Sequence, residues 1–136
     1  MCGIVGFVNN KENKEKIIKD MSKKIEHRGP DGEGFYIDDN CALAHRRLAI
    51  IDLNTGAQPI YNEDKSKVII YNGEVYNFKE LKEALLKKKH VFKTKTDTEV
   101  ILHGYEQWGE KLPNHLRGMF SFAIWDKNKN KLFMAR

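Results

Sequence analysis

The sequence lacks long hydrophobic runs, and its 136 residues include only three prolines and two cysteines. No apolar stretch approaches the roughly 20 residues that a membrane-spanning helix requires. The first ten residues, MCGIVGFVNN, also lack the basic segment and extended apolar stretch of a secretion signal. These absences argue against a membrane protein and an exported one. We therefore predict a cytoplasmic protein without a membrane partner.

The two cysteines need separate explanations, because a single disulfide is not expected in a chain without an export signal. Cys41 lies in a short apolar run, where a free cysteine behaves as a small hydrophobic residue. Cys2 follows the initiator methionine and immediately precedes an apolar run that predicts a buried strand. The sequence therefore places this thiol at the first residue of a strand.

Charge and ligand patterns argue against nucleic-acid-binding and metal-binding proteins. The net charge of +5, from 24 basic and 19 acidic side chains, could attract nucleic acid. The lysines alternate with acidic residues, however, and segments 14–24 and 87–89 resemble solvated helix faces. We therefore predict no nucleic-acid partner. The five histidines show no ligand spacing with cysteines or acidic residues, so we also predict no metal site.

Apolar periodicity predicts a mixture of strands and helices. Strands are expected at 3–8, 34–37, 42–45, 47–52 and 67–72, followed by a hairpin of 119–126 and 131–136. Helices are expected at 14–26, at 78–89 and from 96 onward, and the glycine-rich segment 28–34 is expected to be a loop. Asn77 with Glu80 and Thr96 with Glu99 are typical capping pairs. Because the last predicted strand runs to the end of the sequence, we expect a longer parent protein.

Cys2 is a candidate nucleophile. Removal of Met1 would leave this residue with both a thiol and a free α-amine. A free thiol is only about 3% thiolate at pH 7, so a nucleophilic cysteine needs a base. The α-amine, with a reference pKa of about 7.7, is partly neutral at that pH and can serve as this base. An accidental cysteine at position 2 is the alternative.

The segment Asn72-Gly73-Glu74 has two interpretations. Amide hydrolysis needs donors for a tetrahedral oxyanion, commonly a backbone N–H with an Asn or Gln side chain. Asn72, expected at the end of a strand, and the N–H of Gly73 would supply both. Asn-Gly is also the strongest two-residue hairpin signal, and the residues alone leave the two interpretations equal.

Taken together, the motifs resemble those of the class II glutamine amidotransferases, which are N-terminal-nucleophile hydrolases. The resemblance covers essentially the whole chain and is closest to the asparagine synthetases among them. The motifs that carry it, in order, are Met1-Cys-Gly-Ile-Val-Gly6, Arg28-Gly-Pro-Asp-Gly32, His45-Arg-Arg-Leu-Ala-Ile-Ile-Asp52, Gln58-Pro59 and Tyr71-Asn-Gly-Glu-Val-Tyr-Asn77.

The resemblance implies a catalytic group and its reaction. Cys2 would attack the side-chain amide of glutamine, form a glutamyl thioester, release ammonia and be freed by water. Asn72 and the N–H of Gly73 would hold the oxyanion. No cofactor is implied for this reaction.

The resemblance also implies a substrate-binding group. Arg47 would bind the α-carboxylate of glutamine, and Asp97, aided by Glu74, would bind the α-ammonium. Each has a simpler interpretation, because Arg47 could be surface charge, Asp97 a helix cap and Glu74 a solvated side chain. Arg28 and Asp31 are expected to order the loop over the site.

The implied fold is α+β, a four-layer αββα sandwich of two mostly antiparallel sheets flanked by helices. We expect residues 1–136 to form one glutaminase domain, incomplete at its carboxyl end. The family's synthetase domain, with its ATP and Mg²⁺, is absent, and no segment resembles a nucleotide-binding loop. The parent would use the ammonia to amidate aspartate.

Three alternatives stay open at this stage. The first is another class II amidotransferase, such as one that aminates a sugar phosphate. The second is a non-catalytic module that binds glutamine or a partner protein, and the third is a basic nucleic-acid-binding domain. The expected partners are glutamine and the carboxyl-terminal synthetase domain, and the sequence leaves a homodimer open.

Overall fold

The computed structural model describes residues 1–9, 12–49 and 56–136. Their helices and strands occur in the mixture that the periodicity predicts. The strands are β1 (Gly3–Val8), β2 (Gly32–Ile37), β3 (Cys41–Arg47), β4 (Ile60–Tyr61), β5 (Lys67–Val75), β6 (Gly118–Asp126) and β7 (Lys131–Ala135). The helices are α1 (Lys14–Lys24), α2 (Phe78–Lys87) and α3 (Asp97–Trp108), with short 3₁₀ helices at Glu26–Arg28 and Gly109–His115.

The strands form two antiparallel sheets. One sheet has the order β1-β3-β2 and the other has the order β4-β5-β6-β7. β3 is buried along almost its whole length, because one of its faces packs on a helix and the other on the second sheet. This explains why buried residues follow one another along β3 instead of alternating with exposed ones.

Three groups of buried side chains hold four layers together. Ile18 of α1 packs on Ala42 and Ala44, on the outer face of the first sheet. The inner faces of the sheets meet around Cys41, Leu43, Val68, Ile70 and Trp125. α2 and α3 cover the outer face of the second sheet through Leu81, Leu85, Val100 and Ile101. The predicted four-layer αββα sandwich is confirmed, and Cys41 is a buried free cysteine of its core.

Several predicted boundaries were wrong. β2 begins at Gly32, so the glycine-rich loop is shorter than expected. Arg47 ends β3 and does not begin a new strand; residues 50–52 of the predicted strand lie outside the described residues. β5 runs past its predicted end to Val75, because β6 pairs with it along its full length.

The two predicted helix caps had different outcomes. The hydroxyl oxygen of Thr96 accepts a hydrogen bond from the N–H of Glu99, as expected of an N-cap. Asn77 precedes α2 but makes no side-chain cap bond. Its amide instead donates to the carbonyl of His115 and accepts from the N–H of Arg117, so it holds the start of β6.

None of the helices within residues 1–9, 12–49 and 56–136 combines the length and the apolar composition that a membrane span requires.

Candidate active site

A cleft of about 450 Å³ lies where the amino terminus, β5 and the start of α3 meet. Five of the predicted site residues line it. These are Cys2, Asn72, Gly73, Glu74 and Asp97. They come from three elements that are distant in sequence, so the fold brings the predicted catalytic and substrate-binding groups to one opening.

Cys2 lies just before β1 and is half-buried. Its Sγ accepts a hydrogen bond from the N–H of Leu48 at 3.4 Å and donates to the carbonyl oxygen of the same residue at 3.9 Å. Arg28 donates from Nε to the carbonyl oxygen of Cys2 at 3.3 Å. Met1 also lines the cleft, with 72% of its surface exposed, so its removal would leave the α-amine of Cys2 at the opening.

Asn72 and Gly73 lie inside β5, opposite Ser121 and Phe120 of β6. The hairpin interpretation is therefore wrong, and so is the expectation that Asn72 ends a strand. Gly73 has φ +153°, and a Cβ atom there would lie 2.2 Å from the carbonyl oxygen of Met119. The close approach of β6 thus requires a glycine at this position, whatever else its N–H does.

Asp97 is the first residue of α3, but the helix cap is Thr96, so the alternative that Asp97 is only a cap is not supported. Its Oδ2 accepts hydrogen bonds from the hydroxyl of Tyr71 at 2.7 Å and from the N–H of Val75 at 3.0 Å. Burial, together with the neighbouring carboxylate, raises the pKa of Tyr71. The carboxylate is thus held against β5 at the edge of the cleft.

Two cleft residues were not assigned a role from the sequence. Tyr71 orients Asp97, and the side-chain oxygen of Gln58 accepts from the N–H of Tyr71 at 2.6 Å. Both belong to segments that carry the family resemblance. The sequence motifs therefore contained both residues, but only the hydrogen bonds show that they hold Asp97 and β5 in place.

Arg47 lies beside the cleft. It is half-buried, and its Nη2 is 4.0 Å from the position of a Cβ atom built on Gly56, which lines the cleft. Side chains alternate along a strand, so Arg46 points to the other face of β3. There its guanidinium is bound by Ser22 and Glu33, with only 8% of the residue exposed.

The segment around Asp31 is held close to Arg47. Asp31 donates its N–H to the carbonyl of Arg47, and its Oδ2 accepts from the N–H of Ala49 at 2.9 Å. With the Arg28 contact to Cys2, this fits the prediction that Arg28 and Asp31 order the loop beside the site. Glu74 is exposed at the cleft. The roles assigned to Glu74, to Arg47 and to the other predicted site residues stay predictions.

Comparison with known proteins identifies the family. The glutamine amidotransferase domain family matches residues 1–136. The chain is 49% identical to asparagine synthetase [glutamine-hydrolyzing] 2 of Bacillus subtilis, in an alignment that covers all of this chain and 19% of that protein. It is 47% identical to asparagine synthetase [glutamine-hydrolyzing] of Zea mays, covering all of this chain and 23% of the relative. The chain thus spans about a fifth of the length of these relatives.

A solved structure shares the fold at lower sequence identity. Glutamine phosphoribosylpyrophosphate amidotransferase from B. subtilis superposes with a TM-score of 0.68 and 20% identity, covering 93% of this chain and 35% of that one. The match over the whole sequence, the identity to the synthetases and the shared fold agree. The chain belongs to the glutamine amidotransferase domain family.

Proposed function

We propose that this chain is the glutaminase domain of a glutamine-dependent asparagine synthetase, with Cys2 as the nucleophile. The observation that carries the proposal is the cleft that Cys2 shares with Asn72, Gly73 and Asp97. The identity to curated asparagine synthetases supports the choice of this parent enzyme over another class II amidotransferase.

In the proposed reaction, Met1 is removed and the α-amine of Cys2 takes the thiol proton. Sγ then attacks the side-chain carbonyl carbon of glutamine, and the oxyanion is held by the N–H of Gly73 and the amide of Asn72. Collapse of this intermediate, with the proton returned to the leaving nitrogen, releases ammonia and leaves a glutamyl thioester. Water hydrolyses the thioester to glutamate and restores the thiol.

Substrate binding is assigned to charges of opposite sign at the cleft. Asp97 and Glu74 would receive the α-ammonium of glutamine, and Arg47 its α-carboxylate. The hydrogen bonds from Tyr71 and Val75 fix the Asp97 carboxylate in advance, which lowers the cost of ordering it when substrate binds.

The ammonia would pass to a carboxyl-terminal synthetase domain of the parent protein, which would amidate aspartate with ATP and Mg²⁺. These cofactors are assigned to that domain and not to the cleft. The cytoplasmic location and a homodimer also stay predictions.

A glutamine analogue with an electrophilic side chain tests the nucleophile. Peptide mass spectrometry should locate one adduct on Cys2, and Cys2→Ala should abolish labelling. Cys41, which is completely buried, is the internal control. Intact mass measured on the same sample establishes that Met1 has been removed. Labelling of Cys41, or undiminished labelling of the Cys2→Ala variant, would contradict the assignment.

Turnover and ammonia acceptor are tested separately. Release of glutamate from glutamine, abolished by Cys2→Ala, distinguishes an enzyme from a binding module. In the full-length parent, glutamine-dependent formation of asparagine from aspartate identifies a synthetase. Amination of a sugar phosphate instead would refute the assigned parent.

A further inference from the structure

Two histidines and a glutamate meet in the helical layer, outside the cleft. His90 lies in the connection between α2 and α3, whereas His103 and Glu106 lie on α3. His103 is six residues beyond Asp97, about 9 Å along the helix from the cleft. Histidine spacing in the sequence predicted no metal site, but the fold brings these three side chains together. We propose that His90, His103 and Glu106 form a binding site for Zn²⁺ or a similar divalent transition-metal ion.

The three ligand atoms form a compact triangle. The Nδ1 atoms of His90 and His103 are 3.2 Å apart, and Oε2 of Glu106 is 3.0 Å from Nδ1 of His103 and 3.7 Å from Nδ1 of His90. Zinc–ligand bonds of about 2.0–2.1 Å in a tetrahedron would separate ligand atoms by about 3.3 Å. The observed separations lie on both sides of that value, so an ion fits with small adjustments.

The partners of the two Nε2 atoms indicate the histidine tautomers that a metal site needs. Nε2 of His90 lies 3.2 Å from the side-chain oxygen of Gln107, which can only accept a hydrogen bond. Nε2 of His103 lies 3.5 Å from Glu63 and 3.7 Å from Glu99, both carboxylates. A hydrogen on each Nε2 leaves a lone pair on each Nδ1, and Oε2 of Glu106 lies 3.0 Å from Nδ1 of His103 and 3.7 Å from Nδ1 of His90. Such outer partners commonly orient metal-binding histidines.

A shared proton satisfies this arrangement less well than a cation. Nδ1 of His103 is within hydrogen-bond distance of both His90 and Glu106. A single hydrogen on that nitrogen can point along only one of these two directions, whereas an ion inside the triangle attracts all three atoms.

The surroundings favour a dication. The carboxylates of Glu63, Glu99 and Glu106 all approach His103, and the cationic side chain of Lys67 acts on Glu106. Asn62 donates to the other oxygen of Glu106 and so holds that carboxylate in place. The side chain of His103 is 2% exposed, but those of His90 and Glu106 are 16% and 20% exposed, so an ion can enter.

Two nitrogens and one oxygen suit Zn²⁺, whereas Mg²⁺ and Ca²⁺ prefer oxygen ligands alone. A bound ion would join the segment that follows α2 to the middle of α3. The proposed role is therefore structural and does not depend on the proposed glutaminase activity.

Zinc binding is measured on the metal-free chain by competition with a chromophoric chelator. All variants carry Cys2→Ala, because a thiol beside a free amine can itself bind Zn²⁺. We expect one equivalent of Zn²⁺ and a higher melting temperature with the ion. His90→Gln and Glu106→Gln should each weaken binding at least about 10- to 100-fold. His27→Gln, at an exposed histidine, should leave binding unchanged.

A second measurement keeps the test valid if a variant fails to fold. Zn²⁺ added to the chain that carries only Cys2→Ala should shift the side-chain ¹⁵N signals of His90 and His103 but not those of His27. Absence of stoichiometric binding, binding unaffected by His90→Gln, or unshifted His90 and His103 signals would overturn the proposal.

Discussion

At the scale of single residues, the cleft depends on hydrogen bonds that orient the side chain of Asp97. The carboxylate of Asp97 has two donors on β5 before any substrate is present, the hydroxyl of Tyr71 and the N–H of Val75. The resemblance named Asp97 as a ligand for the α-ammonium, and the contacts add Tyr71 as the residue that orients it.

Replacing Asp97 should therefore affect substrate binding more than replacing its partner. We expect Asp97→Asn to raise the KM for glutamine about 10- to 100-fold, because hydrogen bonds to charged groups contribute about 1.5–3 kcal/mol. Tyr71→Phe removes one hydrogen-bond donor and keeps the carboxylate. The loss of roughly 1 kcal/mol of hydrogen-bond free energy should raise the KM less than tenfold. Steady-state glutaminase kinetics of the two variants provide the comparison.

An equal rise in KM for both variants would assign the effect to the hydrogen bond and not to the charge. A fall in kcat alone for Asp97→Asn would contradict a role in binding the ammonium group.

At the scale of elements, β5 decides the geometry of the cleft. It continues through Asn72, Gly73 and Glu74 to Val75 because β6 pairs with all of these residues. The sequence signal at Asn72-Gly73 is the same for a hairpin and for a cleft-lining strand, since both need a residue without a Cβ atom. Only the partner strand distinguishes them.

We expect Gly73→Ala to destabilise the chain by about 3 kcal/mol or more, since overpacking and a positive φ both act against a side chain. A new Cβ atom would meet the backbone of Met119. Gly32→Ala in β2 is the matched control, because its Cβ atom would lie 3.8 Å from Arg47, an ordinary contact. Urea denaturation measures both free energies of unfolding.

A Gly73→Ala variant as stable as the Gly32→Ala variant would show that β6 can move away from β5. If the expected loss is found, inactivity of Gly73→Ala reports on the fold and cannot by itself identify an oxyanion donor.

At the scale of the whole molecule, the four layers bury His45 of β3, which is 2% exposed. Its ring is bound to the backbone of Tyr71, and among the described residues its Nε2 has no hydrogen-bond partner. Burial, the largest cause, and the charge of Arg47 together lower the pKa of His45 to about 4, against the opposing hydrogen bond to Tyr71.

This lowered pKa predicts a loss of stability in acid. The unfolded chain binds a proton at His45 near pH 6.5, but the folded chain does so only near pH 4. The free energy of unfolding therefore decreases as the pH is lowered from about 6.5 to about 4. At pH 4.5 the loss from this residue should be about 2–3 kcal/mol, at about 1.4 kcal/mol per pH unit. Urea denaturation at pH 7 and pH 4.5 measures it.

His45→Gln keeps a side-chain donor and does not titrate, so its free energy of unfolding should fall less over the same interval. His27→Gln, at an exposed position, should lose as much free energy of unfolding as the unsubstituted chain. Parallel losses in all three proteins would contradict a buried neutral histidine at position 45.

The sequence by itself determined the mixture of strands and helices, the nucleophile candidate and the family, because periodicity and motifs are local properties. The tertiary structure decided which distant residues meet. Leu48 donates to Cys2 across 46 positions, Val75 donates to Asp97 across 22, and Asn77 holds the chain near His115 instead of capping α2. His90, His103 and Glu106 also converge only after α2 and α3 pack on the second sheet. These contacts depend on sheet pairing and layer packing, which no local pattern specifies.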